Sequence, residues 1–225
     1  MSVEVRPFAG LGKARFGWLN ASHHFSFGQY HDAARMGVGP LRVWNDDEIA
    51  ARTGFDPHPH RDMEIITYVR QGAITHQDNL GNEGRTEAGD VQVMSAGTGI
   101  RHAEYNREDG ETRIFQIWII PRTRGLEPRW GQKAFPKAER AGALVPLASG
   151  MAQHGGRHFL AAGKHGADLN LTSLVSAPCP TSCRARMQDE YPADEGVRLR
   201  RFCDAAEAAP VSGRLYLCAG CRAQV

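Results

Sequence analysis

The sequence predicts an all-β fold, a sandwich or a barrel built from short strands. Segments rich in β-branched and aromatic residues recur along the first half of the chain, as at residues 63–69, 91–94 and 112–120. Glycine-rich turns separate them, and the chain shows no heptads, no repeat of fixed period and no low-complexity tract. Short strands joined by glycine turns at regular spacing are typical of all-β sandwiches and barrels.

The length and charge of the chain limit its domains and partners. With 225 residues it can bury a core as one large domain or as two small ones. Its 27 basic and 25 acidic side chains give a formal net charge of +2, so we expect neither nucleic acid nor a membrane as a main partner. The longest strongly apolar run, residues 114–120, is too short to cross a bilayer, and residues 1–10 lack the pattern of a leader. We expect a cytoplasmic monomer.

The first strands are predicted from short alternating segments. Residues 24–27 alternate polar and aromatic side chains, which predicts a strand with one buried face. The two neighbouring histidines, His23 and His24, are interpreted as packing or surface residues, with a pocket position as the alternative. Residues 41–44 predict a second strand, and the acidic segment 45–48 predicts a turn or the start of a helical turn.

The central region predicts most of the sheet. Prolines on both sides of His58 favour extended backbone and an edge-like strand, because proline lacks a backbone donor. Residues 78–84 and 95–100 predict reversals, and residues 128–136 predict an irregular connector. The remaining strands are predicted at residues 63–69, 73–77, 91–94, 102–104 and 112–120.

Two residue pairs in this region predict a metal site. His58 and His60, and then His102 and Glu104, are each spaced i, i+2, which places both side chains of a pair on one face of a strand. Two such pairs on facing strands would converge on one point. Three imidazoles and a carboxylate suit a divalent transition metal such as Fe, Mn, Co, Ni, Cu or Zn, and suit calcium or magnesium poorly.

The competing interpretation is that these four residues are ordinary surface or hydrogen-bonded strand residues. It must then explain three histidines and an acid that are all in phase. Glu64 shares the phase of His58 and is the reserve ligand, whereas Asp62 or the backbone is expected to hold the imidazole N–H groups. Four protein ligands leave two positions open on an octahedral metal, which is an arrangement suited to catalysis, and Glu104 could also take a proton from a substrate hydroxyl.

The two metal segments resemble the metal motifs of the pirin family, within the cupin superfamily. The resemblance lies in residues 54–64 and 94–104, extends to residues 24–27, 41–47 and 116–118, and covers about residues 1–140. It implies a bicupin of two β-barrels with one metal, Fe(II) as first expectation, in the N-terminal barrel. By motif position the metal ligands would be His58, His60, His102 and Glu104.

The same resemblance implies two kinds of function. Bacterial pirins are associated with quercetin 2,3-dioxygenase activity, which implies a flavonol-like aromatic substrate, dioxygen and a catalytic role for Glu104. Pirins of higher organisms are iron-binding nuclear proteins that modulate transcription factors, which implies a non-enzymatic regulatory protein as the alternative. Non-oxidative cupin chemistry, such as isomerisation, also stays open because metal ligands do not specify a reaction.

The C-terminal half departs from the expected pattern. We predict a metal-binding cupin over residues 1–135 and a cupin-like half over residues 136–225 that is atypical from about residue 178. Free thiols are the favoured interpretation of the cysteines there, with a zinc pair as the alternative; the five are Cys179, Cys183, Cys203, Cys218 and Cys221. A shifted reading frame near residues 172–182 and genuine divergence are two hypotheses for this tail, and under the first the second barrel is incomplete.

Overall fold

The computed structural model describes residues 6–135, residues 147–149 and the residue pairs 159–160, 174–175 and 217–218. Within them the all-β prediction is confirmed, because the only helical element is a 3-10 turn at Phe8–Gly10. The first eleven strands are β1 Gly12–Arg15, β2 Leu19–His23, β3 Leu41–Ile49, β4 Gly54–His60, β5 Glu64–Gln71, β6 Ala73–Asp78, β7 Glu83–Glu87, β8 Val91–Ser95, β9 Ile100–Tyr105, β10 Thr112–Ile119 and β11 Arg129–Lys133. No helix in these residues has the length and apolarity needed to cross a bilayer.

The strands form two main sheets. Seven strands pair in the order β1-β2-β3-β10-β5-β8-β11, and four pair in the order β4-β9-β6-β7. Four further strands of two residues each form two parallel pairs: β12 Ala148–Ser149 with β13 Phe159–Leu160, and β14 Leu174–Val175 with β15 Leu217–Cys218. The chain crosses repeatedly between the two main sheets, since β5, β8 and β10 belong to the larger sheet and β4, β6, β7 and β9 to the smaller one.

The two main sheets face each other across a partly polar interior. Glu104 on β9 accepts hydrogen bonds from Thr67 on β5, Gln92 on β8 and Gln116 on β10. These three donors form one row across the larger sheet, because Gln116 lies opposite Thr67 and Thr67 lies opposite Gln92. A buried carboxylate is therefore held between the sheets by side chains whose positions the strand register fixes.

Apolar clusters surround this polar row. The largest joins buried side chains of the larger sheet to residues that follow it in the chain: Leu41, Trp44, Ile66, Tyr68, Val91, Val93, Phe115, Ile117, Ile119, Phe135, Leu147 and Ala148. A second cluster contains Ile49, Val69, Ile74 and Ile114, and a third contains Ile65, Met94, Ala96 and Ile100. Burial of apolar surface on this scale is the main stabilising term of a β-barrel.

The acidic segment after residue 44 is strand and not the predicted turn. β3 runs through Asn45, Asp46 and Asp47, all of which are buried. The segment can be extended because two of these polar side chains have partners: His23 contacts Asn45 through a 2.9 Å ring hydrogen bond, and Arg70 forms an ion pair with Asp46. Tertiary partners thus override the turn propensity of Asn and Asp.

Two other local predictions were also wrong. Residues 24–27 form a tight loop after β2, in which Ser26 Oγ accepts a 2.8 Å hydrogen bond from the Asp32 N–H and Phe27 bridges only to Tyr30. The predicted connector after residue 128 instead contains β11, which pairs antiparallel with β8. β11 lacks a run of β-branched residues, so its strand state comes from the exposed edge of β8.

Candidate metal centre

Three histidines converge on one point beside the interior of the barrel. His58 on β4 lies opposite His102 on β9, and His60 follows two residues later on the same face of β4. The ring centroids are 4.7 Å apart for His58 and His60, 4.5 Å for His58 and His102, and 4.9 Å for His60 and His102. One nitrogen from each ring lies within 4.8 Å of the other two, so a single ion can bind all three.

The local sequence explains how β4 and β9 present these rings. β4 is an edge strand, as predicted, so Pro57 and Pro59 cost no ladder hydrogen bond on its free side. Gly54 lets the start of β4 approach β9 closely, because a Cβ there would lie 2.3 Å from the Glu104 carbonyl oxygen. Gly97 has φ +45° in the turn before β9, and a Cβ at that position would lie 2.0 Å from the Leu126 carbonyl oxygen.

Hydrogen bonding and burial prepare the three rings to offer nitrogen lone pairs. Nδ1–H of His58 donates a 2.7 Å hydrogen bond to the Asp56 carbonyl oxygen, which leaves Nε2 free. This backbone partner is the one that the sequence predicted as an alternative to Asp62. Burial, and then the neighbouring imidazoles, lower the pKa of His60 and of His102 to about 3. Both rings are therefore uncharged at neutral pH and can offer lone pairs to a metal.

Glu104 lies outside the cluster of three histidines, although its side chain lines the same cavity. Its Oε1 accepts hydrogen bonds from Gln92 and from Thr67, the latter at 2.9 Å, and its Oε2 accepts from Gln116. A carboxylate offers about four acceptor positions, so these donors leave one for a metal or for a substrate hydroxyl. Its assignment as a fourth ligand stays a prediction.

The two acidic residues proposed as helpers have other roles. Glu64, the reserve ligand, lies on β5 and accepts a 2.6 Å hydrogen bond from Ser95 Oγ, and it is not part of the histidine cluster. Asp62 has φ +48° in the turn between β4 and β5, where its carboxylate accepts a 2.7 Å hydrogen bond from the Gly125 N–H. Asp62 therefore shapes the loop that follows His60, and its described hydrogen bond is to the backbone and not to an imidazole.

The three rings open onto a cavity of about 980 Å³. Its wall near the rings is aromatic: Trp118 packs edge-on against His60 with centroids 4.9 Å apart, and Trp18 packs edge-on against Phe55 at 5.1 Å. Phe16, Phe27 and Tyr30 add further aromatic rings to the lining. His23 also lines the cavity, which confirms the pocket alternative for that residue.

The inner wall of the cavity carries a buried carboxyl group. Asp47 is 2 % exposed, and its Oδ1 has no hydrogen-bond partner among the described residues. Burial, with the nearby carboxylates of Asp46 and Glu104, raises the pKa of Asp47 well above its usual value, while Arg70 acts in the opposite sense. These surroundings favour the protonated form of Asp47 more than water does, and in that form it can donate a hydrogen bond where an ionised aspartate could only accept one.

The pirin family model matches residues 5–119, just over half of the chain. The chain belongs to the pirin family. A relative from Pseudomonas aeruginosa, provisionally named a quercetin 2,3-dioxygenase, is 74% identical over 148 residues, which are 66% of this pirin and 64% of the relative. A quercetin 2,3-dioxygenase from Escherichia coli K12 is 52% identical over 134 residues, which are 59% of this chain and 58% of that protein. This pirin therefore matches less than two thirds of the length of these relatives.

A solved structure supports the same assignment. The crystal structure of the bacterial pirin YhhW from Escherichia coli in complex with nickel(II) aligns with a TM-score of 0.64 and 42% identity, covering 70% of this chain and 66% of that one. The cupin-type barrel inferred from the motifs is thus shown for the N-terminal part of this pirin. The predicted C-terminal barrel falls largely outside the residues that the structure describes.

Sequence reasoning missed the residues that surround the three clustered histidines in this pirin. His76 on β6 is buried and contacts His102. Thr67, Gln92 and Gln116 hold Glu104, and Asp47 lies in the cavity wall. A usable signal was present, since glutamine in the middle of an apolar strand requires a buried partner. The sequence does not reveal which strands put those glutamines in one row.

Proposed function

We propose that this pirin is a metal-dependent dioxygenase that opens the heterocyclic ring of flavonols such as quercetin, with Fe(II) as its metal. The observation that carries the proposal is the opening of three clustered imidazoles onto an aromatic-lined cavity. A cavity of about 980 Å³ is at the upper end of the ~300–1,000 Å³ typical of small-molecule sites. The names of the relatives agree with this proposal, but they belong to proteins that this chain matches only in part.

His58, His60 and His102 would hold the metal, and Glu104 would be the fourth ligand. The donor set fits a first-row transition metal, because two of its imidazoles are neutral at physiological pH through burial. Cu, Ni, Co, Mn and Zn suit the same donors. When bound, such an ion supplies a Lewis acid with open positions for a substrate oxygen and for dioxygen.

The remaining contributions come from side chains of the protein. The rings of Trp18, Phe55 and Trp118 form flat apolar surfaces that can hold an aromatic substrate and keep water out of the cavity. Glu104 has about one acceptor position left, so it can accept the proton of a substrate hydroxyl only while it is not bound to the metal. Its three donors fix where that proton would be received.

The activity is tested by adding quercetin to protein loaded with Fe(II) or with each of the other metals. We expect oxygen consumption together with release of carbon monoxide. His58→Ala removes one of the three imidazoles and should abolish both signals. His31→Ala, which changes an exposed histidine outside the cluster, is the matched control and should keep them. No turnover by the wild-type protein with any of these metals would count against the proposal.

Glu104→Gln separates the two roles given to this residue. Glutamine cannot accept a proton, and it is a weaker ligand than a carboxylate, so turnover should fall by about 100-fold or more. If Glu104 binds the metal, the affinity for Fe(II) should fall as well. Unchanged metal affinity with lost turnover would assign Glu104 to proton transfer alone, and unchanged turnover would remove it from the site.

The monomeric state and cytoplasmic location stay predictions.

A further inference from the structure

A hydrogen-bonded chain leads from the candidate ligand His102 to a buried carboxylate. His102 Nδ1 lies 3.3 Å from Nδ1 of His76, and Nε2 of His76 lies 3.0 Å from Oδ2 of Asp78. The side chains of His76 and Asp78 are 1% and 0% exposed. The assignment of the three imidazoles did not use His76 or Asp78. These two hydrogen bonds therefore need a separate explanation.

Asp78, the last group in this series of hydrogen bonds, is held as a carboxylate. Oδ1 of Asp78 accepts hydrogen bonds from the N–H groups of Leu80 and Asn82, at 2.9 and 3.0 Å, and Oδ2 accepts from the Asn82 side chain at 2.8 Å. Burial alone would raise the pKa of Asp78, but the hydrogen bonds from His76 and Asn82 outweigh it and the net pKa is lowered. Asp78 is therefore an acceptor towards His76.

The carboxylate decides which nitrogen of each ring carries hydrogen. Because Asp78 only accepts, Nε2 of His76 must donate, and the neutral ring then has its lone pair on Nδ1. That lone pair can accept only from Nδ1–H of His102, which leaves the lone pair of His102 on Nε2. The opposite arrangement would place the lone pair of His76 against the negative oxygen of Asp78.

Packing holds the intermediate ring in place. His76 stacks on Trp130 of β11 with centroids 4.6 Å apart and an angle of 10° between the rings. His76 lies opposite Glu104 in the pairing of β6 with β9, two residues from the position opposite His102. The ring has no freedom to turn away without breaking both the stack and the hydrogen bonds.

We propose that His76, backed by Asp78, is a positioning residue that fixes the tautomer and ring orientation in which His102 can bind a metal through Nε2. The inference rests on the metal site of the proposed function and adds to it the residues that prepare one ligand. Partners of this kind act on metal affinity, and their removal costs roughly 10- to 100-fold.

The test compares two substitutions of His76 that keep different properties of the ring. His76→Gln keeps a donor for Asp78 and an acceptor for His102 but loses the aromatic stack. His76→Phe keeps a ring against Trp130 but loses both hydrogen bonds. The readout is the Ni(II) affinity of the whole chain, measured by competition with a chelator, together with the unfolding midpoint of the metal-free protein.

We expect His76→Phe to bind Ni(II) about 10- to 100-fold more weakly than the wild-type protein, and His76→Gln to recover most of that loss. If His76 has a purely structural role, His76→Gln should bind Ni(II) more weakly than His76→Phe, because glutamine has no ring to stack on Trp130. Equal Ni(II) affinity of the wild-type and Phe proteins, or weaker binding by Gln than by Phe, would overturn the inference.

Asp78→Asn provides a second test that does not depend on the fit of Phe. The amide has the shape of the carboxylate, but two backbone N–H groups require its oxygen, so its NH₂ group must face His76. His76 then accepts at Nε2, donates at Nδ1 and forces the wrong tautomer on His102. We expect a similar loss of Ni(II) affinity, whereas the matched change Asp90→Asn, in a turn that holds the Phe135 N–H, should bind as the wild type does.

The outcomes separate this inference from the function on which it rests. Wild-type protein that fails to bind Ni(II) would refute the metal site itself. Wild-type protein that binds, with Asp78→Asn and His76→Phe binding equally well, would refute only the positioning role.

Discussion

Glu64 on β5 and Glu104 on β9 are both buried, but they differ in the number of hydrogen bonds that they accept. Glu104 accepts three side-chain hydrogen bonds between the sheets, whereas Glu64 accepts one, from Ser95. Burial raises the pKa of Glu64 to about 7, although Ser95 and then Arg129 act in the opposite sense. Glu64 is thus expected to titrate near neutral pH in the folded protein.

The raised pKa of Glu64 predicts a loss of stability as the pH rises. Between its unfolded value of 4.5 and its folded value of about 7, the folded state keeps a proton that the unfolded state has released. The free energy of unfolding therefore falls across this window, by roughly 3 kcal/mol from this residue, and is constant above it. Glu64→Gln cannot titrate and should remove this contribution.

Denaturant unfolding of metal-free protein between pH 4.5 and 8 measures the effect. His60 and His102 have lowered pKa values and push stability in the opposite direction below pH 6.5, so the informative quantity is the difference between variant and wild type. The free energy of unfolding of Glu64→Gln, relative to that of the wild type, should therefore rise from pH 4.5 to 7. Glu111→Gln, at an exposed position, is the control and should show no such trend. A difference independent of pH would refute the assignment.

Residue spacing in the sequence predicts one part of the candidate site and not the other. The three histidines could be predicted because an i, i+2 spacing places two side chains on one face of a strand, and two such pairs on facing strands converge on one point. Whether Glu104 joins them depends on a few ångströms of side-chain position, which its partners on three other strands determine. His76 could not be assigned because its role depends on strand pairing.

At the scale of elements, β11 is a strand because it pairs with β8. The strand propensity of its own residues does not explain it. It brings Trp130 onto His76, and it approaches β7 closely at Gly84. A Cβ at Gly84 would lie 2.3 Å from the Trp130 ring and 2.9 Å from Gln132 Oε1. The glycine is thus required for steric reasons, and β3 gives the complementary case of a polar segment extended by its partners.

Gly84→Ala should therefore destabilise the protein and disturb the ring stack. The Trp130 ring is rigid and packed, so the strand must shift, at a cost of about 1–3 kcal/mol. Denaturant unfolding measures that cost, and near-UV circular dichroism reports the environment of the tryptophan. Gly110→Ala is the matched control, because a Cβ there meets nothing within 4 Å, and it should stay within about 0.5 kcal/mol of the wild type. A neutral Gly84→Ala variant would show that β11 is free to move.

At the scale of the whole molecule, the largest apolar cluster continues past residue 135, where the sequence predicts a domain boundary. Leu147 and Ala148 lie beyond it, yet they are buried in the same cluster as Trp44, Phe115 and Phe135. Two residues beyond the predicted boundary therefore pack against the N-terminal barrel, and the boundary itself stays a prediction. Periodicity within residues 136–166 gave no hint of this, because a single buried leucine has no pattern.

Leu147→Ala tests whether this packing stabilises the barrel. Leu147 is 1% exposed, so removing its side chain should lower the free energy of unfolding by about 2–5 kcal/mol through lost burial and the cavity left behind. All four tryptophans of the chain, at positions 18, 44, 118 and 130, precede residue 135, so tryptophan fluorescence in a denaturant titration reports only on the N-terminal barrel. Leu80→Ala, at a side chain that is 49% exposed, should change stability by less than about 0.5 kcal/mol. If Leu147→Ala leaves the fluorescence transition where the wild type has it, the barrel is complete within residues 1–135 and the two halves are energetically separate.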